Sequence, residues 1–213
     1  VRVPKILVCI LDDEEAIIAL VEKKIDIIAE FRGPGSGKEY GQRSKKEYFG
    51  DIIAILSKKE SDKIIIAGPG FTKEEISKET PKELRPKITI DSTAHTGVTG
   101  IQEIIKRGGV QRVASESRAA IETEEVEKFL EGIAKGGNVD YGKAVIEKRI
   151  SEGAVNKLLI CESFLRDNEP LMKKCEDMGG EIMVISEGHE AGERLKAMGG
   201  LAVFLRFKTN FSQ

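Results

Sequence analysis

KIIIAGPGFTKEEI, Lys63 to Ile76, is the stretch that decides how the rest of the chain is read. Its apolar run, Ile64 to Ala67, is too short for a helix and is bounded by charge and by glycine, which marks a buried strand. Gly68-Pro69-Gly70 then breaks the run. Thr72 and Glu75 stand three positions apart, the spacing of a capping box, in which two side chains satisfy orphan amides at a helix start. The stretch predicts strand, sharp turn and helix, a geometry that often presents a site at the turn. A plainer reading fits the same residues: an ordinary βα connection, with Phe71 packed down as a hydrophobic staple.

On the N-terminal side, PKILVCIL, EAIIALVE and KIDIIAEF within residues 3–31 are three β-like runs separated by Asp12-Asp13 and Lys23-Lys24, and they read as a meander. RGPGSGKEYGQRSKK follows. It is too rich in glycine to pack, and its Arg32, Lys38, Arg43, Lys45 and Lys46 face only Glu39. A cationic loop suits phosphate backbones or an acidic protein; a solvated hairpin extension is the alternative. Ser44 and Glu47 repeat the capping-box spacing, and Phe49, Ile52, Ile53 and Leu56 then recur at helical intervals.

On the C-terminal side, Pro81 and Pro86 bracket a break, and KITID supplies a short strand ending near Asp91. HTGVTGIQEIIKRGG reads as turn, helix and stop, with Ile101, Ile104 and Ile105 on the apolar face and Gly108 in the left-handed cap. Between Gly108 and Thr123 the pattern loosens into a polar helix bridging two compact units, 1–120 and 121–213. A second helix restarts under a Thr123 cap, presents Val126, Phe129, Leu130 and Ile133, and ends at Gly136-Gly137. A further helix is expected from about Asp140 to Ile150. The tail alternates strand and helix, with Leu171, Cys175 and Met178 on one helix face. The fold class is α/β (α+β): a mixed sheet with helices, then a small αβα sandwich.

With 34 basic and 36 acidic residues the net charge is −2, so a nucleic-acid contact must come from a local patch. The 3 cysteines are set in apolar or helical surroundings, which fits reduced thiols and a cytoplasmic location. No apolar run reaches membrane-spanning length. The chain opens on Val1 rather than Met and is read as a fragment or a processed product.

Several motifs fail on inspection. GPGSGKE lacks the first glycine and the Ser or Thr of a phosphate-binding loop, and HEAGE at His189 lacks the second histidine of a zinc protease. His95, in a turn, reads as structural before catalytic. Asp12, Asp13 and Asp91 sit at strand ends, where aspartates form turns more often than magnesium sites. No nucleophile is paired with a base. The residues do not describe an enzyme, and no catalytic or metal-binding residue is assigned.

AGPGF at Ala67 to Phe71, the span from His95 to Phe129, EGAVNKLLICESFLRD and GHEAGERLKAMGGLAVFLRF occur in an order that resembles the Pelota family, archaeal in style. That family rescues stalled ribosomes and is related to class-1 release factors. The resemblance covers its central and C-terminal domains and implies an RNase H-like, release-factor domain 2-like unit followed by one similar to kink-turn-binding ribosomal proteins. A domain preceding Val1 is implied as well. Release factors carry Gly-Gly-Gln in the loop after the third strand; here Gly41-Gln42 follows Tyr40, so subunit dissociation and no-go decay of mRNA, not peptide release, is implied.

The implied partners are a GTPase of the elongation factor one-alpha type, the ribosome with its rRNA, and an ABC-type recycling ATPase, with no membrane. The GTPase or ribosome would meet Arg32, Lys38, Arg43, Lys45, Lys46, Pro69, Gly70 and Phe71. No cofactor is expected for this part. The rival readings are a plain RNA-binding protein and a divalent-metal-dependent mRNA endonuclease, the latter expected mainly in the preceding domain.

Overall fold

The structure is a computed structural model that describes residues 3–35 and 44–207. It divides into two compact units, with the division between Ser117 and Arg118.

The first unit is built on a five-stranded sheet of order β3-β2-β1-β4-β5. Its strands are β1 (Ile6–Leu11), β2 (Glu15–Val21), β3 (Ile25–Arg32), β4 (Lys63–Ala67) and β5 (Ile88–Ile90). β1, β2 and β3 form the expected meander, and β4 and β5 run parallel to β1. This is the RNase H-like arrangement.

The apolar runs are continuous because both faces of the central strands are covered. Leu7, Cys9, Leu11, Ile64 and Ile66 pack under α1 (Lys45–Lys58) and α2 (Thr72–Glu79), which contribute Phe49, Ile52, Leu56 and Ile76. Ile6, Val8, Ile10 and Ile65 pack on the other face under Ile101 and Ile104 of α3 (Gly97–Lys106) and under Val110 and Val113 of α4 (Gly109–Ala134). Each fully buried isoleucine or leucine contributes about 1.5–3 kcal/mol. The alternation expected of a half-covered strand survives only on the edge strand β3.

The second unit carries a four-stranded sheet of order β6-β9-β7-β8, formed by β6 (Val139–Tyr141), β7 (Val155–Cys161), β8 (Glu181–Ile185) and β9 (Leu201–Leu205). β7 and β8 are parallel, and β9 is antiparallel to both β6 and β7. Ile146 and Ile150 of α5 (Lys143–Ser151) and Leu171 and Cys175 of α6 (Glu169–Asp177) cover one face. Val126 and Phe129 of α4 and Leu195 of α7 (Glu190–Ala197) cover the other, completing the α/β/α layering.

Three expectations are corrected. Gly108 takes the left-handed conformation as read, with φ 74°. The helix after it, however, does not stop and restart at Thr123; α4 is continuous from Gly109 to Ala134. Residues 110–131 hold no glycine or proline, so nothing breaks the hydrogen-bond ladder near Thr123. The segment read as helix from Asp140 begins with the short strand β6, and α5 starts only at Lys143. Met178 lies just past α6 and is 42% exposed, so it does not extend the face of Leu171 and Cys175.

Candidate partner-docking face at one edge of the first sheet

β1, β3, β4 and β5 run in one direction and β2 runs against them. The C-terminal ends of four strands and the start of β2 therefore share one sheet edge, where ligand-facing loops of α/β folds gather. The β1–β2 turn, the segment after β3, the β4–α2 turn and the segment after β5 all emerge there.

The β4–α2 turn departs from the plainer of its two sequence readings and from the expected capping box. Phe71 is 79% exposed and is no staple. It is also the N-cap of α2, with no capping side-chain bond. The Thr72 hydroxyl, expected to cap the helix, instead donates to Asp13 Oδ1 at 3.0 Å. Glu75, the other half of the expected box, pairs with Lys45 Nζ at 2.6 Å. Partners remote in sequence have outcompeted the local box.

Gly68 is required by crowding, since a Cβ there would lie 1.9 Å from the Leu11 carbonyl oxygen. Gly70 is required by conformation, with φ +67° and open space around it. Beneath the turn, the buried Lys73 donates its ammonium proton to the Gly70 carbonyl. The turn is thus fixed from inside while its phenyl ring faces outward.

The segment after β3 is anchored at both described ends. Gly33 N–H donates to the Glu14 carbonyl and Gly35 N–H to the Asp13 carbonyl, both at 2.7 Å. A Cβ on Gly33 would stand 2.3 Å from that Asp13 oxygen. At the far end the Ser44–Glu47 capping box forms as read: the Glu47 amide donates to Ser44 Oγ at 3.2 Å, and the Ser44 amide donates to the Glu47 carboxylate at 3.0 Å. The Tyr48 hydroxyl donates to the Asp12 carbonyl at 3.0 Å, so α1 is also held to the β1–β2 turn.

Among the cations expected to reach a partner, Lys38 and Arg43 lie outside the described residues, as do Gly41 and Gln42. Arg32 is exposed at the end of β3, opposite Glu15. Lys46 is exposed and makes no ion pair among the described residues. Lys45 is otherwise engaged: besides Glu75 it contacts Asp13 Oδ1 at 3.2 Å, and its ammonium sits 5.7 Å from the centre of the Phe49 ring. Its pKa is raised, chiefly by the hydrogen bond to Glu75; burial opposes the rise and the Asp13 carboxylate adds to it. Sequence reasoning missed Asp13, Thr72 and Glu75 as one cluster, because no local spacing signals a tie between residues 59 positions apart.

Asp12 and Asp91, at the same edge, are committed to the backbone and to arginines. Asp12 Oδ1 accepts the amides of Glu14 and Glu15 at 2.8 and 2.9 Å, an Asx turn. Asp91 is paired with Arg107 at 3.1 Å and Arg112 at 3.7 Å. Among the described residues no group of three His, Cys, Asp or Glu is placed to hold a metal ion. His95, exposed at the same edge, has Nδ1 3.4 Å from Glu103. In the second unit His189 caps α7 by accepting the Gly192 amide at Nδ1, so its proton sits on Nε2 and donates to buried Glu122 at 2.8 Å. No helix among the described residues is long and apolar enough to cross a membrane.

Residues 119–209 match the family model of eRF1 domain 3. The chain is 40% identical over 214 residues to the protein pelota homolog of Methanocaldococcus jannaschii, a match that covers 96% of this chain and 61% of that protein. It therefore spans about three fifths of the length of the curated relatives it matches. A structure described as a model of ribosome-bound archaeal Pelota and ABCE1 superposes with a TM-score of 0.73 at 39% identity, covering 98% of this chain and 62% of that one. The crystal structure of Archaeoglobus fulgidus Pelota superposes with a TM-score of 0.68 at 30% identity, covering 97% and 65%. Over the span that it covers, the chain belongs to the Pelota family.

Proposed function

We propose that this chain is the GTPase- and ribosome-engaging part of a cytoplasmic ribosome rescue factor, acting in no-go decay by promoting subunit dissociation without releasing peptide. Family membership supports the reading, and one relative is a ribosome-bound Pelota described together with ABCE1. The observation that carries it is Phe71, 79% exposed on a turn held from beneath by Lys73. An aromatic ring presented on a fixed turn, at the same sheet edge as the cations Arg32 and Lys46, is built for contact with a protein surface.

In this reading the face docks on an elongation factor one-alpha-type GTPase, Lys38 and Arg43 adding charge, and an ABC-type ATPase engages the second unit. Peptide release is excluded because Tyr40 stands where a Gly-Gly-Gln tripeptide would need its first glycine. No resident cofactor is needed, since the chemistry belongs to the partners.

The test mixes the purified chain with the GTPase bound to a non-hydrolysable GTP analogue and looks for a one-to-one complex. Neutralising Arg32, Lys38, Arg43 and Lys46 together is expected to weaken the complex and reduce its dependence on salt. Affinity unchanged across a salt titration, or release of a nascent chain from ribosomes by the chain itself, overturns the proposal.

A further inference from the structure

The eight residues expected to touch a partner fall into two kinds, and Lys45 belongs with neither the exposed cations nor the turn. Its ammonium lies between the carboxylates of Asp13 and Glu75, at 3.2 and 2.6 Å, above the Phe49 ring. These acids come from different places. Asp13 is the tip of the β1–β2 turn, and its backbone carbonyl holds Gly35 while its carboxylate also takes the Thr72 hydroxyl. Glu75 lies in the first turn of α2, four residues after Phe71.

Lys45, the Asp13 carbonyl and carboxylate, and the Glu75 carboxylate therefore tie together three elements. They are the entry of the segment after β3, the first residue of α1 where that segment ends, and the first turn of α2 where the Pro69–Phe71 turn ends.

We propose that Lys45 and Asp13 form a clasp that holds Gly35, the start of α1 and the Phe71 turn in one fixed relation, so that Lys45 is a positioning residue and not a partner contact. Its ammonium is already paired with two carboxylates, and moving it to a partner would break both ion pairs. The consequence for affinity rests on the proposed function of this face; the clasp itself does not.

The charge and the geometry of the clasp are separable by substitution. Lys45→Met keeps the length of the side chain and its contact with Phe49 but removes the charge. Lys45→Arg keeps the charge and can span both carboxylates. Lys46→Met is the control, because that side chain is exposed and makes no ion pair among the described residues.

The experiment measures amide hydrogen exchange in the free 213-residue chain, with affinity for the GTPase–GTP analogue complex measured in parallel. The clasp predicts that Lys45→Met speeds exchange several-fold at residues 72–75, some thirty positions away in sequence, that Lys45→Arg restores the original rate, and that Asp13→Asn reproduces the effect. Lys46→Met should leave exchange unchanged while lowering affinity. At an unchanged melting temperature, Lys45→Met should also lower affinity several-fold, with Lys45→Arg recovering it.

If exchange at 72–75 is the same in Lys45→Met as in the parent chain, the clasp is wrong and Lys45 is free to be a contact. If exchange rises but neither Lys46→Met nor Phe71→Ala alters GTPase binding, the clasp stands and the proposed function of the face falls.

Discussion

Replacing Phe71 by alanine separates a contact role from a folding role more cleanly than any other change in this chain. The side chain is 79% exposed and is not among the buried side chains of the adjoining core, so the free protein should lose little stability, within about 0.5 kcal/mol for a surface position. Binding is another matter. Fully burying a phenylalanine is worth about 1.5–3 kcal/mol, and with 79% of it still open roughly 2 kcal/mol is available to a partner that covers the ring. That corresponds to about a 30-fold rise in Kd. Calorimetry with the GTPase gives the affinity, and a thermal melt of the free chain gives the stability. Ile76→Ala, one turn along the same helix but fully buried, should behave in the opposite sense and cost about 2–5 kcal/mol of stability. A Phe71→Ala variant that melts several degrees lower yet binds the GTPase as before would refute the reasoning.

Two glycines of the same turn should fail for different reasons. Gly68→Ala drives a methyl to within 1.9 Å of the Leu11 carbonyl oxygen and should destabilise the first unit by about 1–3 kcal/mol or more, whereas Gly70→Ala, in open space at φ +67°, should cost only about 1–2 kcal/mol; equal urea midpoints for the two would contradict this. In the second unit Glu187 is held at about 2, chiefly by the hydrogen bond from Lys196 and then by the Ser163 hydroxyl and amide. A carboxyl depressed in the folded state adds stability that is present above the ordinary carboxylate pKa of about 4.3 and is lost as pH falls toward 2. Glu187→Gln should therefore flatten the acid limb of a urea-midpoint profile, and superimposable profiles would count against that assignment. Cys9 is fully buried, with its thiol pushed up to about 12, and Cys161 to about 11, both by burial first. Neither should be alkylated at pH 8 in the native chain, while both should react after unfolding, as read by mass spectrometry.

What the sequence disclosed and what it hid follow from the range of the forces involved. Ser44-Glu47 and Thr72-Glu75 have the same spacing, yet only the first forms a capping box. At Ser44 the two side chains stay with each other, the hydroxyl donating to the Glu47 carboxylate at 2.9 Å. At Thr72 the Asp13 carboxylate and the Lys45 ammonium arrive from elsewhere in the fold and take both side chains. The meander was legible because three apolar runs separated by charged turns leave few alternatives. The long helix α4 was not, because its apolar residues serve two different cores. Val110 and Val113 belong to the first unit and Val126 and Phe129 to the second, so the period fades in the middle although the backbone stays helical. β6 has only three residues and is fixed by its pairing with β9, a partner more than 60 positions on.

The same distinction orders the candidate face. Composition marked Arg32, Lys45 and Lys46 as equivalent cations of one basic stretch, and nothing in their immediate neighbours sets them apart. Topology does. Because β2 alone is reversed, its start and the ends of β1, β3 and β4 converge, and the turn that joins β1 to β2 meets both helix starts at once. A lysine at the first position of α1 is then within reach of two carboxylates, whereas its neighbour one position on points into solvent, since successive helical positions are about 100° apart. Charge count alone would make these two lysines interchangeable in any electrostatic account of binding. On the proposed function one holds the face together and the other meets what docks there, so their substitutions should differ in kind, the first altering exchange in the free chain and the second altering only the affinity of the complex and its salt dependence.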